Sequence, residues 1–252
     1  MTPSASCDPC DPCDPCDPPT GRRLLSFDVG LRHLAYCDVS FPADSAPRVN
    51  RWEVVDVTGG NNEKKKKKWG IDDTSLALIA VLDERFFDDT FDVVLIENQP
   101  ACKNPMMKSV QMVLYTYFQV LRQHNPGAVG AVRLVSATRK QRMRHAPEPA
   151  PAPSAPSAAP SAKVQDDDGK AKQKNSGKLY RDRKAEAVRT CTHYLQQVLA
   201  DPVRVMQLAA AKKKDDLCDC LLQALWFAES GEQPRRTTCR AMKSADSLSQ
   251  DR

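Results

Sequence analysis

The segment Phe91–Glu97 (FDVVLIE) constrains the fold of this chain more than any other. Its apolar residues run together instead of alternating, and β-branched side chains are prominent among them. A strand of that kind is buried on both faces, so it belongs in the interior of a sheet with a layer packed on each side. It also ends on an acid, Glu97, at the carboxyl end of the strand, where α/β sheets bind their ligands.

The neighbouring segments complete such a sheet. Leu24–Gly30 is a short apolar strand that contains Asp28 and closes on a glycine turn. Leu34–Val39 and Trp52–Val57 read as two further strands, the three forming an antiparallel meander. Thr74–Phe86 carries Leu76, Ile79, Ala80, Leu82 and Phe86 at near-helical spacing, with Asp73 or Thr74 as its N-cap. A long helix over Met106–Gln123, a strand over Ala131–Ser136 and helices over Tyr180–Leu199 and Asp215–Glu229 follow. The order predicts a mixed α/β fold: a central sheet whose first three strands are antiparallel, flanked by helices.

Biased segments bound that domain. Residues 1–20 hold four copies of Cys-Asp-Pro, and a proline in every triplet keeps the backbone extended. We read a low-complexity tail, with adventitious zinc or iron binding as the alternative. About residues 146–177, first Pro/Ala/Ser-rich and then polar, read as a disordered insertion, and 230–252 as a polar tail. One domain over 21–229 remains. The 37 Lys and Arg against 32 Asp and Glu give a net charge of +5, gathered at Lys64–Lys68, Arg139–Arg144 and Lys212–Lys214. Such clusters suit a polyanionic partner or, taken singly, a solvated surface. Six of the ten cysteines lie outside the repeat without a secreted-framework spacing, and no apolar run approaches the ~20 residues of a membrane span. These features predict a soluble intracellular protein with reduced thiols.

Asp28 and Glu97 are acids inside otherwise apolar strand ends; alone, either reads equally as a capping or surface carboxylate. A third element adds to them. In the stretch Lys212–Asp219 (KKKDDLCD) three acids open a helix, and Asp216 and Asp219 share a face. The helix dipole also favours acids there. Carboxylates are the hard oxygen ligands that Mg²⁺ prefers, usually one or two per ion. Four of them suit two ions roughly 4 Å apart, the arrangement used in phosphodiester cleavage.

Three ordered motifs carry a family resemblance. Ser26–Ala35 (SFDVGLRHLA) resembles the first-strand motif of RuvC-like Holliday-junction resolvases. Ile96–Pro100 (IENQP) with Lys103–Gln111 (KNPMMKSVQ) resembles the second motif of the poxvirus and iridovirus resolvases and their fungal mitochondrial relatives, and Lys214–Gln223 (KDDLCDCLLQ) resembles the third.

The resemblance implies an RNase H-like fold and a homodimer that nicks two opposed strands of a four-way DNA junction, at a site of viral or organellar DNA replication. It assigns the metal carboxylates to Asp28, Glu97, Asp216 and Asp219, with two Mg²⁺ per site and Mn²⁺ as a substitute. Asp215 shares a face with Asp219 at i, i+4, and only the family's spacing of three favours Asp216. Tyr180–Val188 resembles the region that supplies a catalytic lysine, which would be Lys184. Lys103, Lys108, Arg139, Lys140, Arg142 and Arg144 would contact phosphates. Met112, Leu114, Tyr115 and Phe118 face either the core or a dimer partner. The alternatives are another RNase H-like nuclease, such as one acting on RNA–DNA hybrids, and a catalytically silent DNA-binding protein.

Overall fold

The computed structural model describes residues 21–59, 69–102, 104–140, 143 and 170–231. Five strands, β1 (Arg22–Asp28), β2 (Leu34–Phe41), β3 (Arg48–Val55), β4 (Phe91–Asn98) and β5 (Val129–Ser136), form one sheet in the order β3-β2-β1-β4-β5. β1, β2 and β3 pair antiparallel, and β4 runs parallel to both β1 and β5. The mixed sheet with its antiparallel meander is the one the sequence predicts, and β4, the apolar run, is second from the edge with a strand on either side.

The pleat divides the side chains between two cores. On one face Leu25, Phe27, Tyr36, Val94 and Ile96 pack under α1 (Ile71–Phe86) and α2 (Pro105–His124). On the other, Leu24, Ala35, Cys37, Val93 and Leu95 pack under α4 (Lys170–Gln197), α5 (Pro202–Ala210) and α6 (Lys214–Glu229). A four-residue α3 (Ala137–Lys140) follows β5. In α2, Leu114 and Phe118 are fully buried in the first core, whereas Met112 is 43% exposed. In α6 every residue from Cys220 to Phe227 is buried. The helix therefore lies between sheet and helices and is covered nearly all round.

Two departures from the predicted elements have physical reasons. α5 was not foreseen: it spans only nine residues, and Val203 and Met206 stay exposed. It is held instead by polar contacts on the edge strand: Arg204 donates to the carbonyls of Val49 and Asn50 (3.0 and 2.9 Å), and Gln207 to that of Trp52 (2.5 Å). These bonds cover an edge that would otherwise be open for pairing. α4 begins at Lys170, inside the stretch expected to be unstructured, where Lys, Ala and Gln are good helix formers. The Cys-Asp-Pro repeat, the lysine run Lys64–Lys68, residues 146–169 and the tail from 232 lie outside the described residues.

A second polar feature lies toward the other end of β1. Asp38, fully buried, accepts hydrogen bonds from Arg23 (2.7 and 3.0 Å), Arg51 (3.0 and 3.1 Å) and Asn50 (2.9 Å), and Asp89 bridges the same two arginines. Burial alone pushes the Asp38 carboxyl up; the Arg23 and Asn50 hydrogen bonds and the arginine charges outweigh it and leave the group below its ordinary range. The cluster joins β1, β2, β3 and the end of α1, where Arg51 also donates to the Arg85 carbonyl (2.7 Å). No helix among the described residues is long and apolar enough to cross a membrane.

Candidate active site

β1 and β4 are in parallel register from Leu24 opposite Val93 to Phe27 opposite Ile96. One residue further on, Asp28 ends β1 and Glu97 is next to last in β4. Leu24, Val93 and Leu95 point toward the α6 face, so the period of two turns Asp28 and Glu97 to that face as well. Both acids thus leave adjacent strands at the same level and on the same side. The turn after Asp28 is tight: a Cβ on Gly30 would lie 2.5 Å from the His33 carbonyl oxygen, a contact only glycine avoids.

α6 supplies the other two acids. Asp216, Asp219 and Gln223, spaced three and four apart, form one stripe along it. Gln223 is fully buried and donates to Ser26 Oγ (3.0 Å) and the Phe27 carbonyl (3.3 Å). From Gln223 back to Asp219 the helix rises ~6 Å, and from Ser26 to Asp28 the strand advances ~7 Å. The glutamine contact therefore brings Asp219 level with Asp28. Trp52 Nε1 donates to the Leu217 carbonyl (2.9 Å) and fixes the first turn of the same helix.

The outcome is a cavity of about 340 Å³ lined by Asp28, Glu97, Asp215, Asp216 and Asp219, with Gln99, Tyr180, Arg183, Lys184 and Ala187 completing the wall. All five residues singled out for chemistry, Asp28, Glu97, Lys184, Asp216 and Asp219, line this one pocket. Sequence reasoning missed the parts played by Gln99, Tyr180 and Arg183. A signal existed: the buried stripe Ala187, Cys191, Leu195 of α4 continues toward its N-terminus as Lys184 and Tyr180 at helical spacing.

Charge within the pocket is uneven. Burial, then the charges of Asp215 and Asp28, raise the Asp216 carboxyl from 3.8 to about 6, against smaller opposing effects of Lys213 and His33. Asp215 stays below the ordinary carboxylate range: burial pushes it up, but the hydrogen bond from Lys184, a backbone hydrogen bond and the charges of Lys184 and Lys213 prevail. Lys184, bonded to Asp215 and then to Tyr180, is correspondingly raised.

The donor set fits hard divalent cations. It offers carboxylate oxygens from three elements, and the repulsion that raises Asp216 is what a bound cation would relieve. Among the described residues, no three Asp, Glu, His or Cys side chains form a ready-made cage for one ion; Mg²⁺ asks for only one or two carboxylates and keeps waters.

The expected phosphate contacts are scattered. Lys108 Nζ donates to Asn98 Oδ1 (3.0 Å) and Gln111 Oε1 (3.1 Å), and Gln111 also accepts from the Gln99 backbone (2.7 Å), so this lysine braces the segment after Glu97. Arg139 is exposed with its guanidinium 5.2 Å above the Trp226 ring. Lys140 closes α3. Lys103, Arg142 and Arg144 lie outside the described residues.

A family model described as mitochondrial resolvase Ydc2 / RNA splicing MRS1 matches residues 24–101, the stretch that carries Asp28 and Glu97. That first part of the chain is similar to a mitochondrial resolvase family. The chain is also similar to the crystal structure of the yeast mitochondrial Holliday junction resolvase Ydc2, with a TM-score of 0.52 and 17% identity over 82% of this chain and 78% of that one. That likeness establishes the shared RNase H-like fold. Thermus thermophilus RuvC is similar at a TM-score of 0.47 and 12% identity over 83% of this chain and 96% of that one. Its complex with a Holliday junction substrate gives 0.46 and 12% over the same shares. No curated protein matches this chain.

Proposed function

We propose that this chain is a Holliday-junction resolvase, an endonuclease that makes paired nicks in four-way DNA junctions. One observation carries the reading: Asp28, Glu97, Asp216, Asp219 and Lys184 line a single pocket at the carboxyl ends of β1 and β4, in a fold shared with the yeast mitochondrial resolvase. Residues 21–229 form the catalytic domain, with 1–20 and 230–252 as tails.

Asp28, Glu97, Asp216 and Asp219 would hold two divalent cations, Mg²⁺ or Mn²⁺. Bound there, these supply activation of water and stabilisation of the departing oxygen in phosphodiester hydrolysis. The chain's own work is placement. Two acids are fixed on strands and two on a helix locked to β1 through Gln223, so the set needs little rearrangement when substrate arrives. Lys184 keeps a positive charge at the rim, where it offsets charge on the scissile phosphate. Lys103, Lys108, Arg139, Lys140, Arg142 and Arg144 hold the backbone of the junction arms, with affinity that falls as salt rises.

A four-way junction offers two equivalent strands, and one chain carries one set of acids. Paired nicks then call for two copies related by a two-fold axis, with α2 contributing to the contact. The setting is viral or organellar DNA replication. A second reading has a specific basis, since the family description also names RNA splicing; a splicing relative would bind structured RNA and would have no use for four metal-binding acids.

The test is a labelled four-way junction incubated beside a flap, an RNA–DNA hybrid and a structured RNA, with and without Mg²⁺. Paired Mg²⁺-dependent nicks in the junction support the reading. Cleavage confined to the hybrid, or tight RNA binding without cleavage of any substrate, overturns it.

A further inference from the structure

Two aspartates open α6 side by side, and the helix sends them to different neighbours. Successive helical residues are about 100° apart. Asp216 therefore lies on the stripe with Asp219 and Gln223, which is tied to β1. Asp215 lies on the stripe with Cys218 and Leu222 and meets α4. There its carboxylate accepts a hydrogen bond from Lys184 Nζ and forms an ion pair with it.

The lysine is held from a second side as well, because its Nζ is 4.8 Å from the centre of the Tyr180 ring. Lysine has a long flexible stem. At 41% exposure this side chain is not packed into one position by apolar neighbours, so its two partners set where the charge sits. Asp216, by contrast, makes no ion pair among the described residues.

We infer, building on the resolvase reading, that Asp215 is a positioning residue that holds the Lys184 ammonium at the rim of the acid pocket, and that it is not one of the cation ligands. Two adjacent acids in one motif thus divide the work. Asp216 faces the strands and contributes to the cation set, while Asp215 faces α4 and keeps the lysine from swinging in among the remaining carboxylates, where it would compete for them.

The test uses the full chain in two backgrounds, unmodified and Lys184→Met, and follows Mn²⁺ binding by electron paramagnetic resonance alongside junction cleavage. Once the lysine is gone, Asp215 has nothing to hold. In the Lys184→Met background, Asp215→Asn should therefore change Mn²⁺ affinity less than about threefold, whereas Asp216→Asn should weaken it tenfold or more. Cleavage should follow a non-additive cycle, with Asp215→Asn slowing the unmodified chain about tenfold and leaving the Lys184→Met rate where it was. Circular dichroism melts identify any variant that fails to fold, and Asp215→Ser then replaces Asp215→Asn.

Equal losses of Mn²⁺ affinity for Asp215→Asn and Asp216→Asn in the Lys184→Met background would overturn the assignment and make Asp215 a ligand. A chain that never cuts junctions would refute the resolvase reading instead, and the Mn²⁺ titrations would still decide for or against Asp215 as a ligand.

Discussion

Replacing Asp216 with asparagine should stabilise the protein when divalent cations are absent. The Asp216 carboxyl is raised from 3.8 to about 6 by burial and by the charges of Asp215 and Asp28. A carboxyl with a raised folded-state value favours folding when protonated. Its contribution is complete below 3.8 and is lost as the pH climbs through about 6. At pH 7.5 the loss is complete, with a nominal size of about 3 kcal/mol. The group is only half-buried, so solvent screening reduces that to about 1 kcal/mol. Asparagine also gives up a favourable first-turn interaction with the helix dipole, about 0.3 kcal/mol. The net gain of about 0.7 kcal/mol corresponds to a rise in Tm of about 2 °C for a domain of this size. Thermal melts in EDTA and low salt check it: Asp216→Asn should melt above the parent at pH 7.5, and the gap should shrink toward pH 4.5. Saturating Mn²⁺ should reverse the order, because the parent gains more binding energy than a variant missing one ligand. A variant that melts lower at pH 7.5 in EDTA, or a gap indifferent to pH, would refute the argument that the acids repel one another across this pocket.

Asp28→Asn, Glu97→Gln and Asp219→Asn should each cut junction cleavage by about a hundredfold or more while gel-shift binding persists, since each removes a charge without altering shape. Asp38→Ala should destabilise the fold by about 3 kcal/mol in urea titrations, because it strands Arg23 and Arg51; the difference should narrow in acid, as Asp38 loses its own contribution when the pH falls through its lowered value. Parent chains mixed with an excess of Asp28→Asn chains should give junctions nicked on one strand; paired products persisting at that excess would contradict a two-chain active species.

Asp28 and Glu97 were legible as acids at the ends of otherwise apolar strands; that they share a face follows from the period of two only once the register of β1 and β4 is known. The choice of Asp216 came from the family resemblance, while that acids at the start of α6 share a face with Asp219 was legible from spacing. What separates Asp215 from Asp216 was not, since one residue along a helix changes the neighbour from β1 to α4, and only the packing of those elements shows which is which. α5 escaped for a related reason. Its anchors, Arg204 and Gln207, grip carbonyls of a strand some 155 residues distant in sequence, and no local pattern reports such a bond. Gln111, which accepts from the Gln99 backbone, and Gln223, which donates to Ser26, are both fully buried, and in a sequence they look like any surface glutamine on an amphipathic helix.

The division of the acids along the chain has a consequence for how the protein is made. A ribosome delivers Asp28 and Glu97 early, on strands that can pair as soon as they emerge. Asp216 and Asp219 come last, on the helix that covers Leu24, Ala35, Cys37 and Trp52. A nascent or truncated chain that stops before α6 carries two acids, no lock at Gln223, and one bare face of the sheet. Such a fragment lacks half of the acid set and exposes the apolar face that α6 covers, so on the proposed reading the site is complete only once the last helix has docked.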